Sequence, residues 1–142
     1  MDWVHLHLAL NHIPVVGIPF AILVVICGWV RPRREVFMLG LWLTAITSAA
    51  AIAIKFTGDE AAAVLNKTAD PFVAQHEQSA DQATTAVFFL LIASVAALFL
   101  GRKGRRVPKM VLVTWLIIGA ATCVMLARTA NLGGQIVHSE IR

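Results

Sequence analysis

The sequence predicts an all-α fold, an integral membrane four-helix bundle, and three observations predict it. Apolar residues make up 58% of the 142-residue chain and charged residues 14%, against about 45–50% and about 25% in ordinary soluble domains. The apolar residues fall in four long runs, at residues 8–30, 36–56, 83–100 and 108–127, and a run of about 18 or more marks a transmembrane helix. The cations gather in two short connections between those runs. Such a composition excludes a disordered chain, which is rich in charge and poor in apolar residues. The length allows one domain, residues 1–142.

The first run follows Met1-Asp2-Trp3, with an acid where a secretory signal carries Lys or Arg. It also exceeds the apolar stretch of about 7–15 residues in a signal peptide, so a retained helix is expected over 8–30. The second helix, 36–56, is rich in small residues (Thr44, Ala45, Ser48, Ala49, Ala50, Ala51) that let membrane helices approach closely. Gly58 reads as its stop, and Asp59 as the cap of a short helix over 61–65. Asp70 followed by Pro71 is a cap and a first-turn proline. The third helix is therefore expected over 71–100, its first turns standing above the membrane. The fourth is expected over 108–132, ended by Gly133-Gly134. Trp3, Trp29 and Trp115 read as interface anchors. Cys27 and Cys123 fall near opposite ends of their helices, too far apart for a disulfide, and read as small packing residues.

Charge sets the orientation. Residues 31–35 hold Arg31, Arg33 and Arg34, and residues 101–109 hold Arg102, Lys103, Arg105, Arg106 and Lys109. The positive-inside rule makes both loops cytoplasmic. Both termini and the acidic 57–82 segment then lie on the extracytoplasmic side. The net charge of +4 is explained by this topology, so the expected partner is the lipid bilayer and not nucleic acid. No nucleophile–base pair, phosphate loop or nucleotide fingerprint occurs. The expectation is an electron carrier or a subunit, not an independent enzyme.

Under this topology all five histidines, His5, His7, His12, His76 and His138, lie at or near the outer face. His12 is about one turn inside the first helix, beside Asn11 and before Pro14, which cannot donate to the Leu10 carbonyl. His5, seven residues earlier, shares nearly the same helical face. His76 is on the projecting part of the third helix, with Ala80 and Ala83 small enough beside it to leave room for something flat. His138 follows the glycine pair.

Two chemistries use such a set. One is b-type haem, whose iron takes two imidazoles from facing helices. His12 and His76 are the first choice for the axial pair, with His138 and His5 next and His7 close by. Arg128 and Lys55 are placed to hold the propionates. Bis-histidine ligation leaves no open position, so the function would be electron transfer. The other chemistry is a non-haem iron, copper or zinc site that adds Glu77 and Asp81, an i,i+4 pair. His76-Glu77-Gln78-Ser79-Ala80 is not a zincin motif, because Ala80 stands where the second histidine belongs. A third reading needs no cofactor: the histidines hydrogen-bond neighbouring helices and the chain packs as an accessory subunit of a membrane complex.

The same segments carry a resemblance. His5-Leu6-His7-Leu8-Ala9-Leu10-Asn11-His12-Ile13-Pro14, Thr57-Gly58, Gln75-His76-Glu77 and the closing stretch from Ala130 through Gly133-Gly134 and His138 to Arg142 resemble small bacterial four-helix membrane proteins related to the DUF2231 family. The resemblance implies a multi-pass protein of a bacterial cytoplasmic membrane. Some segments of this type are joined to Rieske iron–sulfur domains, which implies a redox setting. This chain has no Rieske cysteines and its tail departs from the usual ending, so a partner carrying the next redox centre would be a separate subunit.

Overall fold

The computed structural model describes residues 3–65 and 71–137. They form α1 (Trp3–Leu10), α2 (His12–Val30), α3 (Arg34–Leu65), α4 (Pro71–Gly101), a 3-10 turn (Arg102–Gly104) and α5 (Lys109–Val137), with no strand among the described residues. α1 and α2 together make one span, so four helical rods are long and apolar enough to cross a membrane. Neighbours in sequence are neighbours in space: α2 packs on α3, α3 on α4, α4 on α5, and α5 closes the ring against α2. α1 leans on α3.

The first rod starts at Trp3, five residues before the expected position 8, and is interrupted at Asn11. Asn11 keeps helical dihedrals (φ −61°, ψ −21°), and its amide still reaches the His7 carbonyl at 2.9 Å. The interruption comes from Pro14, which lacks the N–H that the Leu10 carbonyl needs and crowds it with its ring. α3 runs on through Gly58 to Leu65 as one helix of 32 residues, where a stop at 56 and a separate short helix were expected. α5 likewise runs through Gly133-Gly134 to Val137. α4 occupies Pro71–Gly101, matching the expected proline start.

The packing is that of a protein dissolved in lipid. Large apolar side chains are exposed around the belt, among them Phe20, Leu23, Ile46, Phe89, Phe99 and Ile117, while Thr44, Ser48, Ser94 and Thr122 are fully buried. In lipid an outward Phe or Leu costs nothing, and small or hydroxylated residues let helices close on one another. Three of these hydroxyls donate to the carbonyl four residues back in their own helix. Trp115, expected at an interface, is instead fully buried. Its indole N–H donates to Ser94 Oγ at 2.7 Å, which meets the indole's need for an acceptor away from water. The tightest crossing joins α2 to α3, where a Cβ on Gly28 would run into the Phe37 amide nitrogen and one on Gly40 would lie 2.5 Å from that of Val25. Cys27 is exposed, Cys123 half-buried, and both are free thiols.

The two short connections meet at one end of the bundle, where the Arg34 guanidinium donates to the Gly101 carbonyl. About 20 residues of helix cross a hydrocarbon core of roughly 30 Å. Counted up from the basic end, the far boundary falls near Asn11, Phe56, Asp81 and Arg128. The described residues beyond these positions project toward the opposite surface, and three histidines, His5, His7 and His76, are among them.

Candidate functional site

Two of the projecting turns carry His7 and His76, each held by a neighbouring helix. On α1, His7 Nδ1 lies 3.1 Å from Thr57 Oγ1 of α3. The Thr57 hydroxyl has one proton and gives it to the Ile54 carbonyl at 2.7 Å, so toward His7 it accepts. On α4, His76 Nδ1 donates to the Thr129 carbonyl of α5 at 3.0 Å, since a carbonyl can only accept. Both rings therefore carry their proton on Nδ1, and in both Nε2 is the nitrogen with a lone pair. That is the arrangement by which a metal-ligating histidine is usually oriented through its other nitrogen.

Glycines seat both rings. A Cβ on Gly58 would lie 2.9 Å from His7 Cε1, and one on Gly133 would lie 3.1 Å from His76 Cε1. These are the two glycines that the sequence presents as helix stops. They are needed instead for close approach of an imidazole to the helix surface, which also explains why α3 and α5 continue through them. Below His76, Thr129 Oγ1 donates to the Met125 carbonyl and Ser79 Oγ, which is buried, donates to Thr129 Oγ1 at 2.8 Å.

Lys55 stands between the halves. Its ammonium is bound by Asp59 of its own helix and reaches Asp81 of α4 at 3.0 Å. The rings of His7 and His76 lie within electrostatic range of one another, and both feel the Lys55 charge. Lys55 thus already has two carboxylate partners, a different role from the free propionate ligand expected of it. A shallow groove lined by Asp59, Ala62, Ala63, Val73 and Glu77 runs beside this set.

The other candidate residues fall elsewhere. His12 is exposed, and its Nδ1 donates to the Leu8 carbonyl of the preceding turn at 3.2 Å. His5 is exposed on α1, Arg128 on α5 and Glu77 on α4. Asp81 serves Lys55. His138 lies outside the described residues. Among the described residues no three His, Cys, Asp or Glu side chains converge as a metal ion would need. His7 is thus brought to His76 by the fold, and the adjacent Thr57-Gly58 pair is the sequence signal that marks its seat.

Four apolar rods in a closed ring, with a lipid-facing belt and a polar histidine-bearing end, define a multi-pass α-helical membrane protein. The chain belongs to the family described as predicted membrane protein (DUF2231), whose model matches residues 4–140. No curated protein matches it. No solved structure matches it either.

Proposed function

We propose that this protein is a b-type haem electron carrier of a bacterial cytoplasmic membrane, with His7 and His76 as the axial pair near the extracytoplasmic face, working as a subunit of a larger redox assembly. The observation that carries the reading is the pair itself. Two imidazoles from different helices are each held by a neighbouring helix through Nδ1, and in this reading Nε2 is the ligating nitrogen. His7 takes the place beside His76 that spacing alone gives to His12, because the His12 ring is exposed and bonded to its own helix. A haem iron needs only two ligands from the protein. A zinc, copper or non-haem iron site needs three or four, and no such set exists among the described residues. That favours haem over the metal-ion alternative with Glu77 and Asp81. At the propionates, Arg128 takes the role in preference to Lys55, which is engaged by Asp59 and Asp81. When bound, the haem would supply one-electron exchange at an iron with no open position. The charge of residues 31–35 and 101–109 supports a cytoplasmic placement of those loops and of the histidine pair on the other side.

The second reading is a cofactor-free packing subunit, favoured by the fact that each histidine already clips one helix to another. One experiment separates the two. The purified protein in mild detergent is examined by optical spectroscopy, oxidised and then dithionite-reduced, with iron analysis of the same sample. A sharp reduced α band with stoichiometric iron is expected. His7→Asn and His76→Asn keep an amide donor near the Nδ1 position but have no Nε2, so they should fold and lose the band, while His12→Ala keeps it. A wild-type protein without haem or metal would establish the packing subunit.

A further inference from the structure

The end of the bundle opposite the histidines carries eight cations, Arg31, Arg33, Arg34, Arg102, Lys103, Arg105, Arg106 and Lys109, against one carboxylate, Glu35. All nine are exposed. None of them forms an ion pair among the described residues. Arg34 is spent on the Gly101 carbonyl, which draws the two loops together. Arg102 lies over the Phe99 ring, 3.7 Å from its centroid, so its charge is held at the edge of the apolar belt. A groove of about 370 Å³, lined by Arg33, Arg34, Glu35 and Val36, opens beside the staple. Below this end, Trp29, Val30, Phe99 and Met110 are exposed apolar side chains.

From this we infer a binding site for the headgroup of an anionic phospholipid, built from Arg33 and Arg102 beside the Arg34–Gly101 staple. Among the described residues these cations form no ion pair and outnumber the carboxylates at this end eight to one, so an external anion would balance them. The ligand must also be amphipathic. Arg102 sits over Phe99, and Trp29, Val30 and Met110 at the same end are exposed apolar side chains that can accept acyl chains; a phosphodiester with two tails satisfies both, whereas a soluble anion satisfies only the charged half. Basic clusters between helix ends on the cytoplasmic side are the usual recognition surface for such lipids. The inference does not depend on the haem reading, because it concerns the other end of the molecule.

The test is lipid retention by the full chain in a neutral detergent. Phosphatidylglycerol and phosphatidylcholine are titrated separately and bound lipid is counted by native mass spectrometry. Each cation near an anionic surface contributes about fivefold in affinity. Arg33→Gln with Arg102→Gln should therefore weaken phosphatidylglycerol binding by about 30-fold and leave phosphatidylcholine binding unchanged. Arg33→Lys with Arg102→Lys should keep most of the preference, and circular dichroism checks that each variant is folded. Equal retention of both lipids by the wild type would overturn the proposal. So would a preference that survives the double glutamine substitution, or displacement of the lipid by millimolar inorganic phosphate, which would mark a soluble-anion site.

Discussion

Replacing Gly58 by alanine places a methyl carbon 2.9 Å from Cε1 of His7. In an ordinary helix interior the same change stabilises by about 0.5–1 kcal/mol, because alanine loses less backbone entropy than glycine. Here the gain is opposed. The His7 ring must tilt or retreat, and overpacking of this kind costs about 1–3 kcal/mol. Retreat also lengthens the 3.1 Å contact to Thr57, a hydrogen bond that contributes about 0.5–1.5 kcal/mol. The net expectation is destabilisation by about 1–3 kcal/mol. Gly134→Ala is the internal control, because its added Cβ meets nothing within 4 Å. It should stabilise by about 0.5–1 kcal/mol. The two substitutions, both glycine to alanine in a helix of the same bundle, are thus expected to have opposite signs. Reversible unfolding in mixed micelles, followed by circular dichroism across an SDS titration, reads both. A Gly58→Ala protein as stable as the wild type or more so would refute the idea that this glycine seats an imidazole.

Further expectations can be checked on the same preparation. Gly133→Ala should destabilise less than Gly58→Ala, since its methyl would stand 3.1 Å from His76 Cε1; the same titration ranks them. Trp115→Phe leaves Ser94 Oγ without its donor in the centre of the bundle and should cost about 1–3 kcal/mol, with Trp42→Phe on the lipid face near neutral as comparison. Lys55→Gln removes the tie to Asp81, but Asp59 and Asp81 are mostly exposed, so the loss should stay below about 1 kcal/mol and vanish in high salt. Lys103→Cys should react with an impermeant maleimide only after intact cells are opened, and Glu77→Cys without opening them; the reverse pattern would invert the topology.

The spans were legible because the apolar runs are longer than any competing explanation. The inside of the bundle was not, because α1 and α2 are apolar almost all the way round, and periodicity cannot tell a core face from a lipid face. That is why His12, with its proline and its position one turn inside the first run, drew attention that the packing gives to His7. Trp115 shows the same limit: an aromatic near a run's end reads as an anchor until a buried acceptor, Ser94, is found facing it. The glycines misled for a different reason. Gly58 and Gly133-Gly134 carry the composition of helix stops, yet a glycine inside a membrane helix also marks the place where something bulky must lie against the backbone. The sequence names the glycine but not its visitor.

The two halves of the bundle share one device. In each, a histidine on the earlier segment bonds through Nδ1 to a threonine on the next, His7 to the Thr57 hydroxyl and His76 to the Thr129 carbonyl. In each, a glycine one or four residues beyond that threonine takes the ring against its backbone. Joining two helices calls for only a single hydrogen bond, and a serine or asparagine supplies that with less bulk and no need of a glycine. A bare clip therefore does not explain why both halves accommodate a full imidazole. What the imidazole adds over the smaller donors is the second nitrogen, and the Nδ1 bond fixes its tautomer on both rings. Partial burial is the main influence that favours the neutral form of both rings, and it outweighs the nearby carboxylates, Asp59 at His7 and Glu77 at His76. Ligation is the proposed use of that nitrogen, and the asparagine variants test it directly by keeping the clip and deleting the ligand.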